Sequence, residues 1–137
     1  MSRSALMRVA KPLSTVVFLF IVATILWQLL PKAAFSSDLS RVGQGQPALV
    51  MLRDIGVVGG ERVLEQMLQV YPEFESQMVF LVVHTGHPSG VDFGAEHSVT
   101  DGQMVFFAPD GRSMARSERT ASAEALRRFI NQNLEQL

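Results

Sequence analysis

An uncharged, apolar run near the N-terminus constrains this chain more than any other feature of its sequence. The 18 residues 13–30 (LSTVVFLFIVATILWQLL) carry no charge. As a helix the run would be ~27 Å long, close to the ~30 Å hydrocarbon core of a bilayer. A chain of 137 residues is too small to surround such a helix within a soluble domain. The run therefore predicts one transmembrane helix over residues 13–30. The residues assigned to this membrane anchor are Leu13, Phe18, Phe20, Trp27 and Leu30.

The charges that flank the run predict its orientation. Arg3, Arg8 and Lys11 precede the run, whereas Lys32 and then charges of both signs follow it. Basic residues are enriched on the cytoplasmic side of a membrane. We therefore expect residues 1–12 to form a cytoplasmic N-terminus and the rest of the chain to be exported. This is the topology of a single-pass protein of the inner (cytoplasmic) membrane with a periplasmic C-terminal domain.

A cleaved signal peptide is the alternative to a retained anchor. Ala34-Phe35-Ser36 is a mediocre match to a cleavage site. The apolar core of a signal peptide has ~7–15 residues, however, and this run is longer. The length of the run therefore favours a retained anchor.

The composition of the remaining chain excludes several classes of function. After residue 30 the chain carries nine basic and thirteen acidic residues, a net charge of −4. This balance does not predict a nucleic-acid-binding surface, which would be concentrated and basic. The chain has no cysteine, which excludes disulfides, thiolate metal sites, iron–sulfur clusters and thiol chemistry. We expect no cofactor.

The pattern of apolar residues predicts a linker and one α/β domain. Residues 31–46 are rich in Ser, Gly and Gln, lack periodicity and are predicted to be a linker of up to ~50 Å. Residues 47–137 are predicted to form a domain with a βαβ–ββα order and a central mixed sheet. The run 78–84 is apolar throughout, which is typical of a parallel strand covered on both faces. Residues 87–100 are predicted to be a loop with at most one helical turn. The other predicted elements are strands at 48–53, 104–108 and 112–117, a helix at 61–71 that Pro72 ends or kinks, and a last helix with Ser122 as its N-cap.

Three segments in this order carry a resemblance to a known fold. The sequence GVVGG (56–60) lies between the first strand and its helix, VTDGQMVFFAPDG (99–111) has the character of a hairpin, and residues 120–134 form an amphipathic tail. This order resembles the thioredoxin-like superfamily over residues 47–137. The resemblance implies an α/β, thioredoxin-like domain preceded by one transmembrane helix.

The resemblance also implies a degenerate active site. Val57 and Gly60 stand where the family has its two cysteines, Met51 where it has a buried acid, and Gln103 where it has a cis-proline. The degenerate active-site positions are Val57, Val58, Gly59, Gly60 and Gln103. Thiol–disulfide exchange requires an attacking thiolate, so the resemblance implies a domain without redox activity.

The first strand of the family is not recognisable in the predicted linker, which leaves one edge of the second strand open. Either a strand of a partner pairs with this edge, or residues 39–42 fold back and cover it.

Three groups of polar residues are weaker candidates for function. His84, His87 and His97 could hold a metal ion with nearby carboxylates, but their spacing fixes no geometry. Asp54, Glu61, Asp101 and Asp110 could form acid–base pairs, but no catalytic spacing links them and solvated charges are the favoured interpretation. Arg112, Arg116 and Arg119 are interpreted as charges that protect an edge strand, with contact to an acidic partner as the alternative.

These observations predict a non-enzymatic interaction module held at a membrane. The function that we expect is that of an accessory or scaffold subunit of a membrane or envelope complex. Its partners would be other membrane or periplasmic subunits and, through the anchor, the lipid bilayer. The alternative is a periplasmic assembly factor or chaperone, with a metal ion bound through His84 and His87, by analogy with thioredoxin-like relatives that serve in maturation of metal centres.

Overall fold

The computed structural model describes residues 3–29 and 35–137. The chain divides into two compact units, and the second unit spans Phe35–Leu137. The first unit contributes one described element, the helix α1 (Arg3–Leu29). Its segment Pro12–Leu29 has 18 residues and a mean hydropathy of 2.0, so it is long and apolar enough to cross a membrane. The predicted N-terminal apolar helix is therefore present, although α1 begins at Arg3 and Leu30 lies outside the described residues.

The second unit is built on a mixed four-stranded sheet. Its strand order is β2-β1-β3-β4. The first two strands are parallel, because a crossover helix returns the chain to the same end of the sheet, and the other two pairs are antiparallel. The strands are β1 (Ala48–Arg53), β2 (Val79–His84), β3 (Met104–Phe107) and β4 (Ser113–Ser117). The helices are α2 (Gly60–Phe74), α3 (Pro88–His97) and α4 (Ala123–Leu134). The predicted fold class and βαβ–ββα order are confirmed.

The two faces of the sheet bury separate apolar clusters. One face packs against α2 and α4 through residues such as Met67 and Ile130. The other face packs against α3 through Phe93. All six residues of β1 are buried, as expected for a central strand that is covered on both faces. The helix α2 also continues past Pro72 to Phe74, which contradicts the predicted end at residue 71. Pro72 removes one hydrogen bond of the helix, and α2 ends two residues later, at Phe74.

The helix α3 was not predicted. Residues 87–100 were interpreted as a loop because two glycines weaken the helical pattern. In the structure, Gly90 lies against the end of β2, where a Cβ atom would come within 1.9 Å of the carbonyl oxygen of His84. Gly90 is therefore required by packing between the helix and the strand. Pro88 occupies the first turn, where a missing N–H costs nothing.

The segment that was predicted to be a linker belongs to the domain from residue 35 onward. Ser36 forms a parallel bridge with Leu81, and its carbonyl accepts a hydrogen bond of 3.1 Å from the N–H of Val82. A short 3₁₀ helix follows at Leu39–Arg41 and packs with Val42 against the sheet. The chain itself therefore covers part of the β2 edge, but it does so through Ser36 and not through residues 39–42, of which Leu39 and Val42 pack against a face of the sheet. The linker prediction is wrong for residues 35–46 because this pairing and packing are tertiary.

The parallel bridge of Ser36 defines two ends of the domain. The backbone at Ser36 is parallel to β2. The chain therefore enters the domain at the end of the sheet where β2 begins. We call this the tether end. At the tether end Phe35 packs against Tyr71 and Phe80, with ring centroids 5.4 and 6.0 Å apart. We call these three rings the aromatic cluster. The opposite end, where β1 and β2 finish, is called the turn end.

Candidate functional site

The candidate site is the connection between β1 and α2, at the turn end of the domain. Residues 54–59 make this connection, and they include three apolar side chains that point into solvent. Val58 is 92% exposed, Ile55 is 77% exposed and Val57 is half-exposed. We call these three residues the apolar turn. Isolated surface apolar residues are ordinary, but three in one short turn form a patch that calls for an explanation.

Asp101, in the loop between α3 and β3, holds the apolar turn in place. Its Oδ1 accepts hydrogen bonds from the backbone N–H of Asp54 (2.8 Å) and from Nη1 of Arg53 (3.2 Å). Its Oδ2 accepts a hydrogen bond of 2.9 Å from the N–H of Gly60, the first residue of α2. The first N–H groups of a helix have no partner within the helix, and a carboxylate there also complements the helix dipole. One buried side chain thus joins the end of β1 to the start of α2.

Two arginines neutralise Asp101. Arg53 is 8% exposed, and its other guanidinium nitrogen, Nη2, lies 3.2 Å from Glu61. The Nη2 atom of Arg119 lies 3.5 Å from Asp101, and its Nε donates a hydrogen bond of 2.8 Å to the Asp101 carbonyl. We call these four charged residues the ionic network. A buried charge of this kind is tolerated only with its partners, and removal of one partner is strongly destabilising.

Two glycines allow the side chains of Asp101 and Arg119 to lie close to the backbone at the start of α2. A Cβ atom on Gly60 would lie 2.4 Å from Oδ1 of Asp101, so no larger residue fits there without displacing the carboxylate. Gly59 has a φ of 137°, a conformation that residues with a side chain rarely adopt. A Cβ atom at this position would also lie 2.8 Å from Arg119. The sequence GG at 59–60 is therefore explained by the ionic network beside it.

Gln103 lies in the same region and closes the loop that carries Asp101. Its carbonyl accepts a hydrogen bond of 3.1 Å from the N–H of Leu52 in β1. Its side chain accepts a hydrogen bond of 2.8 Å from the N–H of Thr100 and donates one of 2.5 Å to Glu118. The structure thus brings together all five predicted positions, residues 57–60 and 103, at the turn end. Their correspondence to cysteine and proline positions of a redox site stays a prediction.

A groove of about 370 Å³ adjoins Asp54, the residue that precedes the apolar turn. It runs between the end of β1, the first turns of α3 and the loop that carries Asp101. The side chains and glycines that line it are mostly small or apolar. They include Leu52, Thr85, Gly90, Val91 and Val99, together with Asp54. The groove is therefore a shallow, mostly apolar surface with two aspartates in its lining, Asp54 and the buried Asp101.

The geometry of Asp101 corrects the prediction that the four candidate carboxylates are solvated charges. Its side chain is only 3% exposed, and both of its oxygens accept hydrogen bonds from within the domain. A general acid or base must reach the proton that it transfers, and Asp101 is not open to a substrate. Glu61 and Asp110 are exposed, as predicted, and Asp54 is half-buried. Asp101 therefore positions the turn.

The three candidate arginines do not share one role. Arg112 and Arg116 lie at the edge strand β4, and Nη1 of Arg116 donates a hydrogen bond of 2.9 Å to the carbonyl of Ser98. Arg119 instead follows β4 and reaches back to Asp101. Its interpretation as a charge that protects the edge strand is therefore wrong.

Of the three histidines that were considered as metal ligands, His84 and His87 share one turn, in which the N–H of His87 donates a hydrogen bond of 3.1 Å to the carbonyl of His84, whereas His97 is remote from them. His84 ends β2, His87 precedes α3, and His97 is the last residue of α3. A helix of ten residues places His87 and His97 ~15 Å apart along its axis. His97 packs on the rings of Phe93 and Phe107. Among residues 3–29 and 35–137, no group of three or more candidate ligands is placed to hold a metal ion.

Comparison with known proteins identifies the fold class. The domain resembles the solution structure of an uncharacterized thioredoxin-like protein from Clostridium perfringens, with a TM-score of 0.63 and 12% identity over 72% of this chain and 79% of that one. It also resembles a thioredoxin from Thermus thermophilus, with a TM-score of 0.55 and 14% identity over 66% and 75% of the two chains. For oxidized thioredoxin O2 from Arabidopsis thaliana, the TM-score is 0.56 and the identity 11%, over 68% and 79%.

These likenesses establish that the chain has a thioredoxin-like fold, as the sequence predicted. No family model matches the sequence, and no curated protein matches it. The fold is therefore the property that these solved structures share with this chain.

The ionic network is the feature of the site that sequence reasoning missed. Asp101 was considered as a member of an acid–base pair or, preferably, a solvated charge, and Arg53 was considered only as the end of a strand. Two signals pointed to the network: Arg53 closes a strand of five apolar residues, and a Gly-Gly pair opens the following helix. Neither signal identifies Asp101 as the residue that these groups bind, because Asp101 lies 47 residues after Asp54.

Proposed function

We propose that this protein is a membrane-anchored, non-enzymatic interaction module, an accessory or scaffold subunit of a membrane or envelope complex. The helix α1 would hold it in the inner membrane, and the thioredoxin-like domain would lie on the periplasmic side. The domain would have no redox activity and would require no cofactor. Its partners would be other membrane or periplasmic subunits.

The observation that carries this proposal is the contrast within the candidate site. The backbone of the turn is fixed by a buried carboxylate and two arginines, whereas its apolar side chains are left in solvent. Exposed apolar side chains on a rigid support lose little conformational freedom when a partner covers them, so they favour binding. The absence of cysteine from the sequence leaves the same turn without a thiol nucleophile. Together these features support docking as the task of the site.

The experiment that tests this function is extraction of the native full chain in mild detergent, followed by size separation and identification of what comigrates. We expect comigration with one large complex at fixed stoichiometry. A species near the 15.1 kDa of the chain alone would contradict the role of a subunit. Scattered, substoichiometric companions would instead favour the alternative function, a transient assembly factor or chaperone.

A pair of variants tests whether the apolar turn contributes to this association. In the double variant Ile55→Asp/Val58→Asp we expect recovery of the complex to fall at least about tenfold, because charges replace the apolar centre of the contact. The matched control is Leu137→Asp, which charges an exposed leucine at the C-terminus. Both variants should fold normally, since substitutions at exposed sites change stability by about 0.5 kcal/mol or less. Equal recovery from the variant and the control would exclude the turn as the docking surface.

A further inference from the structure

In the loop that carries Asp101, most of the backbone N–H and carbonyl groups of residues 100–103 already form hydrogen bonds within the domain. The N–H of Gly102 donates to the carbonyl of Leu52 (2.8 Å), and the N–H of Gln103 donates to the carbonyl of Thr100 (3.0 Å). The N–H of Thr100 donates to the Gln103 side chain, and the Asp101 carbonyl accepts from Arg119. A partner that adds a strand needs free donors and acceptors along the backbone. An extended peptide would have to displace these bonds.

Part of the backbone of the apolar turn is also hydrogen-bonded within the domain. The N–H of Gly56 donates to Oδ1 of Asp54 (3.0 Å), and the N–H of Val57 donates to the carbonyl of Asp54 (3.1 Å). The carbonyl of Val57 accepts a hydrogen bond from Arg53. The groups that protrude from this surface are side chains, Ile55 and Val58, and the groove adjoins them through Asp54.

Two carboxylates border this apolar surface without an ion partner. Asp54 stands on the wall of the groove, and Asp92 is exposed on α3 next to the groove residue Val91. Within the part of the chain that the structure describes, neither carboxylate forms an ion pair. A basic side chain on the partner would complement them.

We propose that the apolar turn and its groove bind one face of an amphipathic helix of a partner protein, and that this face carries a lysine or arginine. A helix satisfies its own backbone hydrogen bonds and presents only side chains, which is the kind of partner that this surface can accept. Apolar residues three and four positions apart would cover Ile55 and Val58 and fill the groove, with the basic residue at Asp54 or Asp92. This inference rests on the docking function proposed above and specifies its mode.

Photocrosslinking in native membranes tests this mode with the full chain. Ile55, Val58 or Val91 is replaced, one at a time, by the photoreactive residue p-benzoylphenylalanine, with Leu137 as the control position. Mass spectrometry then maps each adduct to a residue. We expect adducts on one partner protein, at positions three or four residues apart and adjacent to a lysine or arginine. Asp54→Asn should lower the yield at Val58 about two- to fivefold. Asn keeps the acceptor for Gly56, and Glu135→Gln serves as the charge control.

Four results would overturn the proposal. Adducts two residues apart along one segment would indicate an extended partner. Adducts on lipid or on a second copy of this chain would identify a different occupant. Crosslinking yields at Ile55, Val58 and Val91 that are no higher than at Leu137 would show that no partner covers this surface. None of these results affects the comigration of the unmodified chain with a complex, so failure of the docking mode and failure of the subunit function can be told apart.

Discussion

The two ends of the thioredoxin-like domain are organised in opposite ways. At the turn end two charged side chains, Asp101 and Arg53, are buried, whereas the apolar side chain of Val58 is exposed. Toward the tether end the rings of the aromatic cluster pack together, and an ion pair between Glu73 and Arg127 lies at the surface. The tether end follows the usual pattern of a soluble domain, in which apolar groups are buried. The turn end departs from it, and such departures are expected where a surface is shaped for binding.

The largest expected effect comes from breaking the ionic network at the turn end. Asp101→Ala leaves Arg53 buried without its carboxylate and the N–H groups of Asp54 and Gly60 without an acceptor. We expect a loss of about 3–5 kcal/mol in the free energy of unfolding. The measurement is denaturant unfolding of the full chain in detergent, followed by circular dichroism, together with hydrogen exchange of residues 54–60.

Asp101→Asn is the graded control for this prediction, because it keeps the shape and one acceptor but removes the charge. Its stability should lie between those of the native chain and Asp101→Ala. A loss of less than about 1 kcal/mol for Asp101→Ala would mean that the network does not hold the turn, because a lost buried pair costs more than this.

The second effect concerns the aromatic cluster at the tether end. Phe35→Ala removes a half-buried ring that contacts Tyr71 and Phe80, and we expect a loss of about 2 kcal/mol. The same unfolding measurement applies. If the two ends act independently, the double variant Asp101→Ala/Phe35→Ala should lose the sum of the single losses within about 0.5 kcal/mol. A larger departure would show that the two ends are coupled through the sheet.

The smallest effect comes from the exposed ion pair. Side-chain hydrogen bonds from Arg127 hold the pKa of Glu73 below its ordinary value of 4.5, at distances of 2.7 and 2.8 Å. The pair therefore stabilises the fold above that pH, and the contribution is lost as the pH falls through the lowered pKa. We expect Glu73→Gln to be slightly less stable than the native chain at neutral pH and equal to it well below pH 4.5. A difference that persists in acid would mean that packing, not charge, is responsible.

The elements that follow from local signals were predicted well. The run ALVMLR predicted β1 at its observed bounds, and Ser122 caps α4 by accepting a hydrogen bond from the N–H of Ala125. Each signal lies within the segment that it specifies. The parallel pairing of β2 also followed from its apolar character on both faces.

The features that were missed depend on partners distant in the sequence. The glycine that weakens the helical pattern of α3 is required by the carbonyl of His84, and the order of Ser36 comes from Leu81. The burial of Asp101 is likewise decided by Arg53 and Gly60. Composition and local propensity predict loops or solvated charges for such residues, because neither contains information on tertiary contacts.

The ionic network also has a consequence for the order in which the chain can fold. The bonds from Asp101 to Gly60 and Asp54 span 41 and 47 residues, so they form only after β3 has been brought beside β1. Closing loops of this length costs entropy before any contact repays it, and such contacts form late. We therefore expect the apolar turn to take its fixed shape only after β1, the start of α2 and the loop before β3 have assembled. A partner of the kind proposed above would then select assembled copies of the chain over incomplete ones.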